Sequence, residues 1–277
     1  MSNVRNRIVT GLLVGVTLIV ATWVGGIVFM LLFLAILVIA HIELFALIQH
    51  LGFRPQKKTA VVIGASIFIM NYLHAKGILT SKIHLIYIPF VLTILISELY
   101  RKGQTPFITA GVTLLGIIYL AFPFSLLNYL VYGGYESPVF MPELLLTIFV
   151  FLWANDVGAY AVGSLIGKRP LFKRVSPNKS WEGTIGGLVC VQLAAWGIGY
   201  YVTEILWFDW LIMGALVSIF GSYGDLLESL FKRSVQVKDS GSILPGHGGI
   251  LDRFDSLLLS APVIFTYLQL RSYAFMN

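Results

Sequence analysis

Nine runs of mostly apolar residues divide this 277-residue chain, at about 8–24, 26–49, 59–75, 83–99, 107–131, 139–165, 183–203, 207–224 and 250–270. A helix needs about 20 such residues to cross a bilayer, where every backbone polar group must find its partner inside the protein. With 57% hydrophobic and 12% charged residues, the chain carries too little polar surface to cover a soluble core of this size. The pattern predicts an all-α fold, a polytopic integral membrane bundle of about nine transmembrane helices forming one domain over residues 1–277. The first run follows Arg5 and Arg7 like the core of a signal peptide. No small-residue cleavage site separates it from Gly25, Gly26 and the next run, so it is expected to be retained.

Basic residues set the orientation. The net charge of +6 reports topology before it reports nucleic acid, and no nucleic-acid partner is expected. With the N-terminus inside, sixteen of the 19 Lys and Arg residues fall on inner segments, and only Lys76, Lys82 and Arg271 fall outside. This predicts a multi-pass protein of the cell (inner) membrane with a cytoplasmic N-terminus and an external C-terminus. The single cysteine, Cys190, excludes a disulfide framework and a thiolate metal cluster, and reads as a small packing residue.

Polar residues are spread unevenly. Residues 1–145 read as hydrophobic helices with isolated polar side chains, His41, Glu43, Asn71, His74 and Glu98. These are expected to make contacts between helices or to reach the membrane interface. Glu43, between Ile42 and Leu44, is the least comfortable of them, and spacing names no partner for it. Residues 146–277 form the half expected to carry the active site. There Asn155 and Asp156 stand roughly ten residues, about 15 Å of helix, inside the sixth run, so the carboxylate requires a cation, a donor or a water-filled cavity. The loop that follows is basic. Lys168 and Arg169 read as topology anchors, whereas Ser176, Lys179 and Glu182 surround a helix start, the outline of a phosphate site.

Carboxylates gather next. Asp225 and Glu228 are three apart and Lys232 follows seven after Asp225, so a continuing helix would place all three on one face, with Gly221 and Gly224 admitting a close neighbour. Asp252 and Asp255 are one turn apart at the start of the ninth run, with Arg253 to the side. Asp225, Asp252 and Asp255 suit a hard divalent cation such as Mg2+, which takes oxygen ligands together with phosphate. Zinc is disfavoured, because this stretch offers one histidine, His247, and no thiolate cluster, which supply no tetrahedral set. Between the carboxylates lie Lys238, Asp239 and a glycine-rich turn with Gly246, Gly248 and Gly249, where backbone can approach a ligand closely.

Residues 229–255, SLFKRSVQVKDSGSILPGHGGILDRFD, resemble the signature of the phosphatidate cytidylyltransferase (CDP-diacylglycerol synthase) family, bacterial type. The resemblance extends through Asn155, Asp156, Ser176, Pro177, Lys179, Trp181, Glu182 and Gly183, and weakens to hydrophobic spans before residue 145. It implies that CTP and phosphatidic acid react at the cytoplasmic leaflet to give CDP-diacylglycerol and pyrophosphate, with Mg2+ as one or two cations and the identity of a second ion left open. The expected roles are catalysis by Asp225, Asp252, Lys232 and Asp255, with metal on the three aspartates. Phosphate is expected on Ser176, Lys179, Lys232, Arg233, Lys238, His247, Gly248, Gly249 and Arg253. Asn155, Asp156, Glu182, Glu228 and Asp239 are further candidates. His247 reads as a phosphate or structural contact before a proton donor, and Asp239 equally as a cation ligand or a partner of Lys238. The expected partners are CTP, phosphatidic acid and the bilayer, with pairing of two copies left open. Two rival readings remain: a CTP-dependent polyprenol or dolichol kinase, whose lipid alcohol would need a general base, and a cation-coupled transporter, which the lack of a duplicated pattern disfavours.

Overall fold

The computed structural model describes residues 2–103, 105–133, 139–202, 205–243 and 248–276, with side chains from 9 to 271 inside those ranges. Among them are nine α-helices: α1 (Ser2–Val24), α2 (Gly26–His50), α3 (Lys57–Ala75), α4 (Tyr87–Ser97), α5 (Pro106–Tyr132), α6 (Pro142–Ile166), α7 (Trp181–Tyr201), α8 (Trp207–Ser234) and α9 (Leu251–Met276). Tight 3-10 turns, Ser81–Ile86 and Glu98–Tyr100, lengthen α4 at both ends. Seven segments are long and apolar enough to cross a membrane among the described residues: 26–50, 57–75, 81–100, 106–132, 142–166, 181–201 and 207–234. The apolar part of α1 is the shorter stretch Val9–Val24. The protein is thus a helical membrane protein, as its composition requires.

Two differences from the expected spans matter for function. The eighth helix does not stop near residue 224 but runs unbroken to Ser234, so Asp225, Glu228 and Lys232 do lie on one helix. The basic loop is not irregular throughout: β1 (Pro170–Phe172) and β2 (Ser176–Ser180) pair antiparallel in a small hairpin, which delivers the chain into α7.

The chain forms two compact units, each described by itself. One comprises residues 1–142 and 234–253, the other residues 143–233 and 254–277. In the first, α3 packs against α2 and α5, and bare backbone allows the close fit. A β-carbon on Gly64 would fall 2.7 Å from the His41 ring, and one on Gly116 2.7 Å from that of Phe45. Local signals bound α5: Pro106 opens it, where a missing N–H costs nothing, and Gly133 closes it at φ 63°. At one end of this unit the Tyr129 hydroxyl donates to Asn71 Oδ1 (2.7 Å) and lies 2.9 Å from His74 Nδ1, a polar cluster that satisfies itself within an apolar bundle.

In the second unit small residues again set the spacing. Added β-carbons on Gly158 and Gly183 would stand 2.6 Å from Cys190 Sγ and 2.8 Å from the Ala159 carbonyl oxygen, so α6 and α7 touch almost backbone to backbone. Cys190 is the packing residue that its setting suggested. Where α8 meets α9, a β-carbon on Gly224 would collide with the Asp255 carbonyl oxygen. Farther along the same pair, Asp209 accepts from the Tyr267 hydroxyl (2.5 Å) and from Arg271 Nε (2.9 Å), tying the first turn of α8 to α9.

Candidate active site

The second unit holds a 420 Å³ cavity lined by α6, the hairpin, the first turn of α7 and α8. Asn155 and Asp156 enter it from α6, Asn178, Lys179 and Ser180 from β2, Thr184 from α7, and Ser222 and Asp225 from α8. The carboxylate of Asp156, which called for a cation, a donor or a water-filled cavity, lines this one. Lys179 forms an ion pair with Asp225, joining residues that the sequence had offered as separate candidates. About a third of each side chain is solvent-accessible (32% and 31%), so an incoming ion or phosphate has access to both.

The ammonium of Lys179 is perturbed by its setting. Burial pulls its pKa below the ordinary lysine value, opposed by the carboxylates of Asp255 and Asp156. The cavity therefore combines a partly desolvated cation with at least two carboxylates.

Neighbouring polar residues fix its walls. Ser180 caps α7, its Oγ accepting from the Gly183 amide at 3.1 Å. Glu182 Oε2 accepts from the amides of Lys168 (3.1 Å) and Arg169 (3.2 Å), which anchors the start of the hairpin loop. Asn155 is buried, its Oδ1 accepting from Ser218 at 2.6 Å. These three residues build the site's frame. On α8, Lys232 pairs with buried Glu228, one turn before it. Asp225 is thus paired with a cation from another element, Lys179. Asp255 accepts from the Ser256 amide at 2.6 Å, and Ser176 is half-buried on β2.

The first unit contributes the other part of the signature. Asp252, in the first turn of α9, accepts through Oδ2 from the amides of Gly249 (2.7 Å) and Ser240 (3.0 Å). Gly248 adopts φ +80°, and a β-carbon there would lie 2.5 Å from that same oxygen, so glycine is required twice over. Lys238, Asp239, Arg233 and Arg253 are exposed. His247, with Leu244, Pro245 and Gly246, lies outside the described residues.

Glu43 is the residue whose importance the sequence understated. It is buried on α2, and its carboxylate accepts from the amides of Ile250 (Oε1, 3.0 Å) and Leu251 (Oε2, 2.8 Å) and from Ser240 Oγ (3.3 Å). The one available signal was a carboxylate in a hydrocarbon span; its partners, some 200 residues away, could not be read from spacing.

Asp225, Asp252 and Asp255 offer oxygen alone, the donor type of a hard cation. Among the described residues no group of three His, Cys, Asp or Glu side chains stands ready to hold a metal ion. Carboxylate oxygen is a donor that suits Mg2+, which keeps water and takes part of its coordination from substrate phosphates.

Comparison with known proteins gives a consistent picture. A model of the cytidylyltransferase family matches residues 5–271. A phosphatidate cytidylyltransferase of Bacillus subtilis (strain 168) is 34% identical over 291 aligned positions, covering 98% of this chain and all of the relative. Proteins of the same name from Staphylococcus aureus (strain COL) and Staphylococcus saprophyticus are 39% and 41% identical over 165 residues, covering 59% of this chain. In those two matches the chain spans about 60% of the relative's length.

Proposed function

The chain belongs to the cytidylyltransferase family, and from that premise we propose that it transfers the cytidylyl group of CTP to phosphatidic acid, giving CDP-diacylglycerol and pyrophosphate. The observation that carries this reading is the end-to-end likeness to the Bacillus subtilis phosphatidate cytidylyltransferase, joined to a cavity in which a lysine and two aspartates meet.

The chemistry suits such a site. A phosphate monoester has a second pKa of about 6, so near neutral pH the lipid phosphate is already a nucleophile and needs little help from a base. One of its oxygens attacks the α-phosphorus of CTP; a new P–O bond forms, the bond from the α-phosphorus to the bridging oxygen breaks, and its electron pair leaves with pyrophosphate. The barrier is repulsion between two anions, so positioning and neutralisation carry the catalysis. Lys179 contributes a positive charge where Asp225 and Asp156 face the cavity. Exposed Arg233, Lys238 and Arg253 are suited to the outer phosphates, and Lys232 to a contact shared with Glu228. Asp225 and Asp255 in the second unit, and Asp252 in the first, are the carboxylates suited to Mg2+, which would supply charge to the α-phosphate and the leaving group when bound.

The membrane setting follows the substrates: one carries acyl chains that stay in the bilayer, the other is a soluble polyanion. The sixteen-to-three distribution of basic residues supports a cytoplasmic site in the cell membrane, with the N-terminus on the same side.

Full-length protein in detergent, given phosphatidic acid, Mg2+ and CTP labelled on the α-phosphate, is expected to form a labelled CDP-lipid with one pyrophosphate released per lipid. Transfer of label from the γ-phosphate instead would identify a lipid kinase. No lipid product with either label would overturn the enzyme reading.

A further inference from the structure

The signature loop is held from outside the signature. Its two ends, at Ser240 and at Gly249 to Leu251, converge on one carboxylate, that of Glu43 in α2. Ile250 and Leu251 give it their amides at 3.0 and 2.8 Å, and the Ser240 hydroxyl reaches it at 3.3 Å. Those two amides open α9, where N–H groups have no partner within the helix, so a carboxylate is the ligand that a helix start favours. Packing leaves little slack. A β-carbon on Gly241 would stand 2.5 Å from Glu43 Oε1, and one on Gly249 2.5 Å from Oε2.

The same backbone then holds Asp252. The Ser240 residue whose hydroxyl meets Glu43 donates its amide to Asp252, and Gly249, pressed against Glu43, donates its own. We propose that Glu43 is a positioning residue for the transfer reaction: it fixes Ser240 and the backbone at Ile250 and Leu251, and thereby aims the Asp252 carboxylate. The inference rests on the cytidylyltransferase reading for what Asp252 does, but the brace itself is independent of it. A carboxylate buried in an apolar helix is costly to keep without a use, and here it accepts from the amides of Ile250 and Leu251, next to Asp252, and from the hydroxyl of Ser240, whose amide Asp252 holds.

The test uses the full-length protein and its Glu43→Gln variant, which keeps the volume but gives up the charge and replaces one acceptor oxygen with a donor. Amide hydrogen exchange at residues 249–252 is measured without substrate, and CDP-lipid formation is measured across a magnesium titration. The expected result is faster exchange at Ile250 and Leu251 together with a rise of about 10- to 100-fold in the magnesium needed for half-maximal rate, the usual cost of losing a residue that orients a metal ligand. Exchange and magnesium requirement both unchanged would overturn the proposal. So would a uniform loss of rate with unchanged magnesium dependence, which marks a merely structural role. If Glu43→Gln does not fold, Gly241→Ala, which crowds the carboxylate without deleting it, is read by the same two criteria. Should the wild-type protein make no CDP-lipid, the reaction reading fails, while the exchange comparison still decides whether Glu43 holds the loop.

Discussion

Asp252→Asn is expected to lower the rate of the proposed CDP-lipid formation by about 10²- to 10³-fold, a loss of roughly 3–4 kcal/mol of transition-state stabilisation. The size of the effect follows from what the replacement spares. Asparagine retains one oxygen, enough to accept from Gly249 and Ser240, whose amides both meet Oδ2. The loop therefore keeps its main bonds while the carboxylate charge is lost, and charge is what a magnesium ligand supplies. Single-turnover rates of the purified variant, beside its thermal unfolding in detergent, check the prediction. A near-normal rate would remove Asp252 from the metal role, and a collapse of folding would show that its bonds to the loop matter more than its charge.

Lys179→Ala is expected to reduce kcat/KM for CTP by about 10- to 100-fold, the range for losing a charge-assisted hydrogen bond in a partly buried site. Its companion, Lys179→Arg, separates charge from shape through pH. Burial depresses the pKa of Lys179, so this ammonium loses its proton at a lower pH than a free lysine does, and activity that needs the charge falls as pH rises through that value. Arginine stays protonated, so the alkaline fall should move to higher pH in Lys179→Arg even if the maximal rate is reduced. The sign for stability is opposite. In the window between the depressed value and the ordinary one the unfolded chain binds more protons than the folded chain, so this group's contribution to stability rises with pH. A pH profile of kcat/KM for both proteins decides the matter, and an unshifted limb assigns the titration to another group.

Much of the architecture was legible because hydrocarbon imposes a simple rule: about 20 apolar residues make a span, and basic residues choose a side. The ends of α5 were written locally, in Pro106 and Gly133. The end of α8 was not. Beyond Gly224 the residues change from apolar to charged, which marks where a helix leaves lipid and says nothing about where it stops. Hydropathy also has no term for a three-residue strand, so the hairpin at 170–180 was read only as a basic loop. Within the site, Lys179 and Asp225 were each visible as candidates, but their pairing depends on the hairpin that brings β2 to α8. Glu43 shows the limit most clearly. Chemistry marked it as needing a partner, while periodicity, which reaches one or two turns along a helix, had no means of pointing to Ser240 and Leu251.

The unbroken course of α8 carries one more consequence. Its 28 residues make a rod about 42 Å long, of which the apolar part up to Gly224, roughly 27 Å, matches the hydrocarbon of an ordinary bilayer while the charged remainder runs on past it. Asp225 lies where the apolar part of that rod ends, so one continuous helix carries Glu228 and Lys232 beyond the hydrocarbon as a single piece with it.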